Sequence, residues 1–234
     1  MLTSTALIKY NIISTGSQGN AVIIEKVILI DCGVGFKALK PFYSDLRLVL
    51  LTHIHSDHFN KRTIRRLAAE RPTLRFACCR WLVEPLTACG VSKNNIDILE
   101  FNRLYGYGLC NVIPVPLVHN VPNCGWKIHF AKKGKMIYCT DTNNMNGIMA
   151  LNYDLFMIEA NYDENEIEER IRQKKENGEY AYELQVIKNH LSKQKCDDFI
   201  YRNIGPNGGY VYMHRHIDKE VNGIDNDSEN TQGS

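Results

Sequence analysis

From Thr52 to His58 the chain reads Thr-His-Ile-His-Ser-Asp-His, three imidazoles and a carboxylate in close succession. The string follows the apolar run Val49-Leu50-Leu51, so it begins where a strand would end. His53 and His55, two positions apart, share one face while the chain is extended, and Asp57 and His58 follow as it turns toward a helix. Imidazole nitrogen and carboxylate oxygen are the donors that borderline cations such as Zn²⁺ accept, and a catalytic site keeps one coordination position open for water. The spacing suits two adjacent cation sites, whose remaining ligands must come from elsewhere. Chance clustering of surface histidines is the competing explanation, but an HxHxDH string behind an apolar strand is too specific a pattern for it.

The elements that would position this string alternate along the chain. Lys9 to Ser14, Ala21 to Ile30 and Leu46 to Leu51 are apolar, β-rich runs separated by glycine-containing turns, Gly16-Ser17-Gln18-Gly19 and then Gly33 and Gly35. The first turn, with Asn20, lacks the ending of a phosphate-binding loop and reads as a turn near the site. Lys61 to Glu70 carries Ile64, Leu67 and Ala68 at helical spacing with Pro72 beyond, which predicts an amphipathic helix. Trp81 to Ala88 reads as a short helix ending at Gly90, and Ile96 to Glu100, Val112 to Val118, Lys127 to Ala131, Met136 to Cys139 and Leu155 to Glu159 read as strands. Glu164 to Gly178 is a highly charged helix read as solvated surface. A helix over Lys193 to Ile204 and a strand over Tyr210 to Met213 complete an α/β pattern with mixed strands. No linker divides the chain, so one domain is expected over 1–217, followed by a polar, disordered tail over 218–234.

On these residues the chain resembles the metallo-β-lactamase superfamily, and within it the phosphodiesterase branch that includes tRNase Z, the YycJ/WalJ exonucleases and the phage anti-Pycsar phosphodiesterases that degrade cyclic-nucleotide immune signals. The resemblance spans about residues 10 to 216 and implies an αββα sandwich, two mixed sheets flanked by helices. Thr52 to His58 is similar to the family's THxHxDH motif, which implies His53, His55, Asp57 and His58 as ligands, with Asp57 also in the catalytic set. Pro116 to His119 resembles the segment that supplies a third imidazole to the first ion, and Tyr138 to Thr142 the segment whose carboxylate, here Asp141, bridges the two ions. Leu155 to Asn161 is similar to the LEAN or HEAT segments and Asn189 to Ser192 to the HLS element. This implies that His190 donates a proton or stabilises charge on a phosphate, oriented by Glu159. Tyr210 to His214 resembles the strand that ends in the last ligand, which implies His214, with His216 as its competitor. Asp31, in an IDCG-like element, is implied to steady the ligand loop rather than to bind an ion. Asn60 stands where the family often has glycine, and Cys139 replaces a commoner small residue before the TDT segment; neither change removes a ligand. The resemblance further implies two divalent ions, Zn²⁺ with Mn²⁺ as the alternative, and a homodimer.

Composition narrows the partners. Lys and Arg number 28 and Asp and Glu 26, a net charge of +2, far from the excess of a dedicated nucleic-acid binder. The eight cysteines form no CxxC pair and read as reduced thiols. The N-terminus has neither a signal-peptide pattern nor a long apolar run, so a cytoplasmic protein with no membrane partner is expected, in host cytoplasm if phage-encoded. A nucleotide substrate follows from His190 and Glu159, and a 3′,5′-cyclic mononucleotide is preferred because no extended basic arm is present to grip a long polyanion. A YycJ-like DNA or RNA nuclease is the nearest alternative, supported by Lys61-Arg62 with Arg65-Arg66. A noncatalytic module that sequesters a nucleotide is the alternative of another class, and lactam or thioester hydrolysis ranks lower because neither calls for the distal pair. His129, inside a strand-like run, reads as a packed or surface histidine, and the loop with Tyr105 and Tyr107 as a surface turn that could instead stack on a base.

Overall fold

The computed structural model describes residues 7–214, so His216 and the tail over 218–234 lie outside the described residues. Among the described residues, twelve strands form two six-stranded sheets. The first holds, in spatial order, β1 (Tyr10–Ser14), β2 (Ala21–Ile24), β3 (Ile28–Ile30), β4 (Leu48–Leu50), β5 (Arg75–Cys78) and β6 (Ile96–Ile98). The second holds β7 (Tyr105–Gly106), β8 (Cys110–Leu117), β9 (Asn123–Phe130), β10 (Gly134–Cys139), β11 (Tyr153–Glu159) and β12 (Ile204–Met213), each beside the next. Both sheets are mixed: β3 to β6 and β10 to β12 pair in parallel, the others antiparallel. The helices are α1 (Phe36–Leu39), α2 (Lys61–Glu70), α3 (Val83–Ala88), α4 (Glu164–Glu176), α5 (Glu183–Asn189) and α6 (Lys193–Asn203). Among the described residues no helix is long and apolar enough to cross a membrane.

The layers follow from the period-two alternation of strand side chains. Ile28 and Ile30 of β3, Leu48 and Leu50 of β4, Met136 and Tyr138 of β10, and Leu155 and Met157 of β11 meet in one cluster between the sheets. The alternate residues Leu29 and Val49 pack with Ile64 and Leu67 of α2, and Ile137, Phe156 and Ile158 pack with Phe199 and Ile200 of α6. With both faces buried, these strands read as continuous apolar runs rather than alternating ones. The result is the expected αββα sandwich.

Several elements depart from the sequence reading. Ala21 to Ile30 is two strands, because Glu25 (φ 51°) and Lys26 (φ 64°) turn the chain while the Val27 amide donates to the Ile24 carbonyl. That turn lacks the Gly or Asn that would announce it. α1 and α5, each short, were not expected. The charged helix is not wholly solvated, since Ile167 and Ile171 pack on Ala181 against Tyr162, Val186 and Ile187. Tyr105 and Tyr107 are not presented for stacking: Tyr105 pairs with Val112, its hydroxyl accepts from the Glu100 amide, and the Tyr107 hydroxyl donates to Asp97. All eight cysteines are buried and unpaired.

The turn carrying the histidine string is wedged against two others. The Asp57 carbonyl accepts from the Asn20 amide at 2.6 Å, and a Cβ on Gly33 would lie 1.7 Å from that carbonyl oxygen. Gly33→Ala is therefore expected to lower stability in urea unfolding by about 1–3 kcal/mol or more, the cost of overpacking a well-filled site. Gly35→Ala, whose Cβ would meet nothing within 4 Å, is the control and is expected to change little.

Candidate metal centre and acid pair

Strand direction explains why residues distant in sequence meet. β3 and β4 run together, β10, β11 and β12 run together, and β8, antiparallel to β9, runs with β10. Asp31, the His53 string, His119, Asp141, Glu159 and His214 thus all stand at carboxyl ends of strands, and the two sheets bring those ends to one edge. Asp31 (φ 58°), Asp141 (φ 58°) and His214 (φ 50°) adopt left-handed backbone, which is costly for a side-chain-bearing residue and tends to mark functional sites. Each is where a strand breaks to aim a side chain inward.

Three imidazoles form the first group. His53 Nε2 and His119 Nε2 lie 3.2 and 3.4 Å from His55 Nδ1. With metal–nitrogen bonds of about 2.0–2.1 Å, neighbouring donors on a tetrahedral ion stand about 3.3 Å apart, so this triangle fits one cation. His119 Nδ1 donates to the Asn189 carbonyl at 3.0 Å; a carbonyl only accepts, so the proton is on Nδ1 and the Nε2 lone pair faces the group. Burial holds the His53 pKa far down, helped by the charge of His58, and brings that of His119 down to about 4, so both favour the neutral, ligating form.

The second group is built on Asp141, whose Oδ2 lies 2.9 Å from both His58 Nε2 and His214 Nδ1. Its Oδ1 reaches toward the first group, 3.8 Å from His119 Nε2. Asp57 Oδ2 stands 3.7 Å from His58 Nε2. His58 Nδ1 donates to Asp31 Oδ2 at 2.7 Å, and Thr52 donates its hydroxyl and its amide to the same carboxylate. Burial opposes a charge on His58, yet the flanking Asp31 and Asp141 raise its pKa well above the ordinary value. Burial likewise opposes charge on Asp141, but His58 and His214 hold its carboxyl well below the usual range. The carboxylate oxygens of Asp141 and Asp57, 2.9 and 3.7 Å from His58 Nε2, are what a divalent ion at that atom would answer. Among the described residues three groups could hold a metal ion: His53, His55 and His119; His53, His58 and Asp141; and Asp141, Glu159, His190 and His214.

Glu159 and His190 stand beside this cluster. Glu159 is fully buried; Oε1 lies 2.6 Å from His190 Nδ1, and Oε2 accepts from the amides of Thr142 and Leu191. Burial works against charge on His190, but hydrogen bonding to Glu159 outweighs it and raises the His190 pKa. Burial raises the Glu159 pKa, and the 2.6 Å contact places one hydrogen bond between Oε1 and Nδ1. The same residues fall geometrically within a group with Asp141 and His214. Because His190 Nδ1 is committed to Glu159, Nε2 is the ring nitrogen left to meet a substrate or an ion. His129 is elsewhere, its Nε2 2.6 Å from the Tyr153 hydroxyl.

Asn20 was not singled out by the sequence as a contact of the site. Its Nδ2 lies 2.8 Å from His58 Nε2 and donates to the Asp57 and Gly16 carbonyls, so the GSQGN turn clasps the ligand string. The signal available was that this turn ends in a buried-capable amide instead of the lysine of a phosphate loop.

Residues 26–184 match the family model described as beta-lactamase superfamily domain. This chain belongs to the beta-lactamase superfamily. It is 25% identical over 238 residues to the exodeoxyribonuclease WalJ of Streptococcus pneumoniae, covering 92% of this chain and 83% of that protein. Among solved structures it is similar to the metallo-beta-lactamase fold protein YhfI of Bacillus subtilis (TM-score 0.69, 15% identity, 90% of this chain and 87% of that one). It is also similar to the short form of human tRNase Z (TM-score 0.63, 15% identity, 88% and 92%) and to a diphosphatase of the PhnP family (TM-score 0.61, 13% identity, 88% and 86%). These structural likenesses show the fold. What the comparisons and the geometry give together is the fold, the superfamily and a histidine–aspartate cluster able to hold metal ions.

Proposed function

We propose that this superfamily member is a dinuclear-metal phosphodiesterase acting on nucleotides, with 3′,5′-cyclic mononucleotides as its first substrate. The observation that carries the reading is the Glu159–His190 pair, 2.6 Å apart, set against the metal-binding cluster. On this reading His53, His55 and His119 hold one cation, Asp57, His58 and His214 the other, and Asp141 is shared. Bound divalent ions would activate a water and neutralise phosphate oxygens. His190, oriented through Nδ1 by Glu159, delivers a proton from Nε2 to the departing sugar oxygen, the poorest leaving group of the reaction. Asp31 and Thr52 fix the tautomer and angle of His58. A protein that only sequestered a nucleotide would have no use for this proton donor.

The cyclic mononucleotide is favoured by a near-neutral chain and by the state of its most basic helix, where Arg66 is paired with Glu70 and stacked on Phe36. In this role the protein would remove cyclic-nucleotide immune signals in the cytoplasm, as a homodimer. A nuclease is the second reading, supported by the likeness to WalJ along nearly the whole chain. Incubating the metal-loaded protein with cAMP, cGMP, cCMP and cUMP, and in parallel with labelled single- and double-stranded DNA and RNA, separates them, with Asp141→Ala as control. Turnover of cyclic nucleotides alone is the expected result; degradation of polymers alone would transfer the assignment to a nuclease.

A further inference from the structure

α5 delivers the proposed acid, since His190 is the residue that follows its last turn. The final carbonyls of any helix have no partner within the helix and must find one outside. Here the Val186 carbonyl accepts from the His190 amide, which leaves those of Ile187, Lys188 and Asn189, and the last two find side-chain donors. Asn189 is met by His119 Nδ1 at 3.0 Å, and Lys188 by Asn143 Nδ2 at 2.8 Å. Asn143 is itself held from the metal side. It follows Asp141 and Thr142, and its amide donates to the Val118 carbonyl. Its Oδ1 accepts from Asn144 Nδ2 at 2.6 Å, which fixes the orientation of the amide group. Thr142 completes the frame: its amide donates to Glu159 Oε2 and its hydroxyl accepts from the Val118 amide.

We infer that Asn143 is a positioning residue that ties the end of α5 to the loop bearing Asp141, and so sets His190 in register with the cluster. The inference rests on the proposed role of His190. It goes beyond it because Asn143 touches neither a candidate ligand's donor atoms nor the acid. The clamp acts at both sides of one short segment: Asn143 fixes Lys188, the next carbonyl orients His119, and the next residue is His190, whose ring centroid lies 5.6 Å from that of His119. Without the amide, the Lys188 carbonyl turns to water and the segment from Lys188 to Leu191 gains freedom. Proton delivery then suffers, because catalytic groups displaced by a fraction of an ångström lose much of their effect.

The test compares two leaving groups at saturating metal. For a cyclic mononucleotide or a dinucleotide, whose departing alkoxide needs a proton, Asn143→Ala is expected to lower kcat about tenfold, a part of the acid's full contribution, with KM and metal stoichiometry unchanged. For bis(p-nitrophenyl) phosphate, whose departing phenolate needs none, the loss is expected to be much smaller. Asn143→Ser, which keeps a donor, should recover part of the rate. In the metal-free protein, amide hydrogen exchange at His190 and Leu191 should quicken in Asn143→Ala while exchange in β4 and β10 does not. Equal losses on both substrates, or unchanged kcat with unchanged exchange, would overturn the inference. If the wild type hydrolyses no phosphodiester, the proposed function fails, and the exchange experiment still decides whether Asn143 holds the segment.

Discussion

Asp141→Ala is expected to abolish turnover and to weaken the binding of both metal ions together. Asp141 is 2% exposed, and its two oxygens face different groups: Oδ2 toward His58 and His214, Oδ1 toward His119. Removing a residue that merely supports a ligand typically costs 10–100-fold in metal affinity. Loss of a carboxylate shared by both groups should therefore exceed about a hundredfold for each ion. Metal stoichiometry after dialysis against a weak chelator, with a competition titration for affinity, reads the effect. Urea unfolding of the metal-free variant shows whether the fold is kept. Retention of two tightly held ions by Asp141→Ala would mean that Asp141 is not shared, and the dinuclear arrangement would have to be redrawn around Asp57.

His190→Ala is expected to separate chemistry from metal binding. If His190 only donates a proton, kcat should fall about 10²–10⁴-fold, the usual contribution of a general acid, while metal content stays that of the wild type. Equal metal loss in His190→Ala and Asp141→Ala would refute the division of roles. The pH profile gives an independent sign. Glu159 raises the His190 pKa against burial, so the protonated acid persists above the ordinary histidine value and is lost as pH rises through the raised one. Wild-type kcat should therefore decline on the alkaline side, and His190→Ala should lack that limb. Glu159→Gln keeps an oxygen that can accept from Nδ1 but removes the charge, so its alkaline limb should move to lower pH.

What the sequence determined is concentrated where function depends on local order. Thr52 to His58 fixes the type and spacing of four potential donors because they lie on one short segment, and the apolar run before them places the segment at a strand end. Strands buried on both faces announce themselves as uninterrupted runs such as Leu46 to Leu51, and α2 by its 3.6-residue period, because burial dictates residue type whatever the partner is. Resemblance to a known family then implied His119, Asp141, Glu159, His190 and His214, residues that spacing alone would not have linked.

Tertiary structure decided what depends on the meeting of segments far apart in sequence. That Asp141 reaches both groups follows from parallel pairing of β10 with β11 and from two sheets ending at one edge, and no local pattern encodes either. The Glu25–Lys26 turn carries no residue that favours positive φ, so pairing of the flanking strands, rather than local preference, holds it there. α5 is too short for periodicity to show, and the carbonyls of Lys188 and Asn189 acquire meaning only because Asn143 and His119 arrive to meet them. Asn20 and Asn143 are polar residues in polar turns, indistinguishable in sequence from any solvated loop. A hydrogen bond needs atoms of different segments placed to within a few tenths of an ångström, and only the folded chain sets that placement.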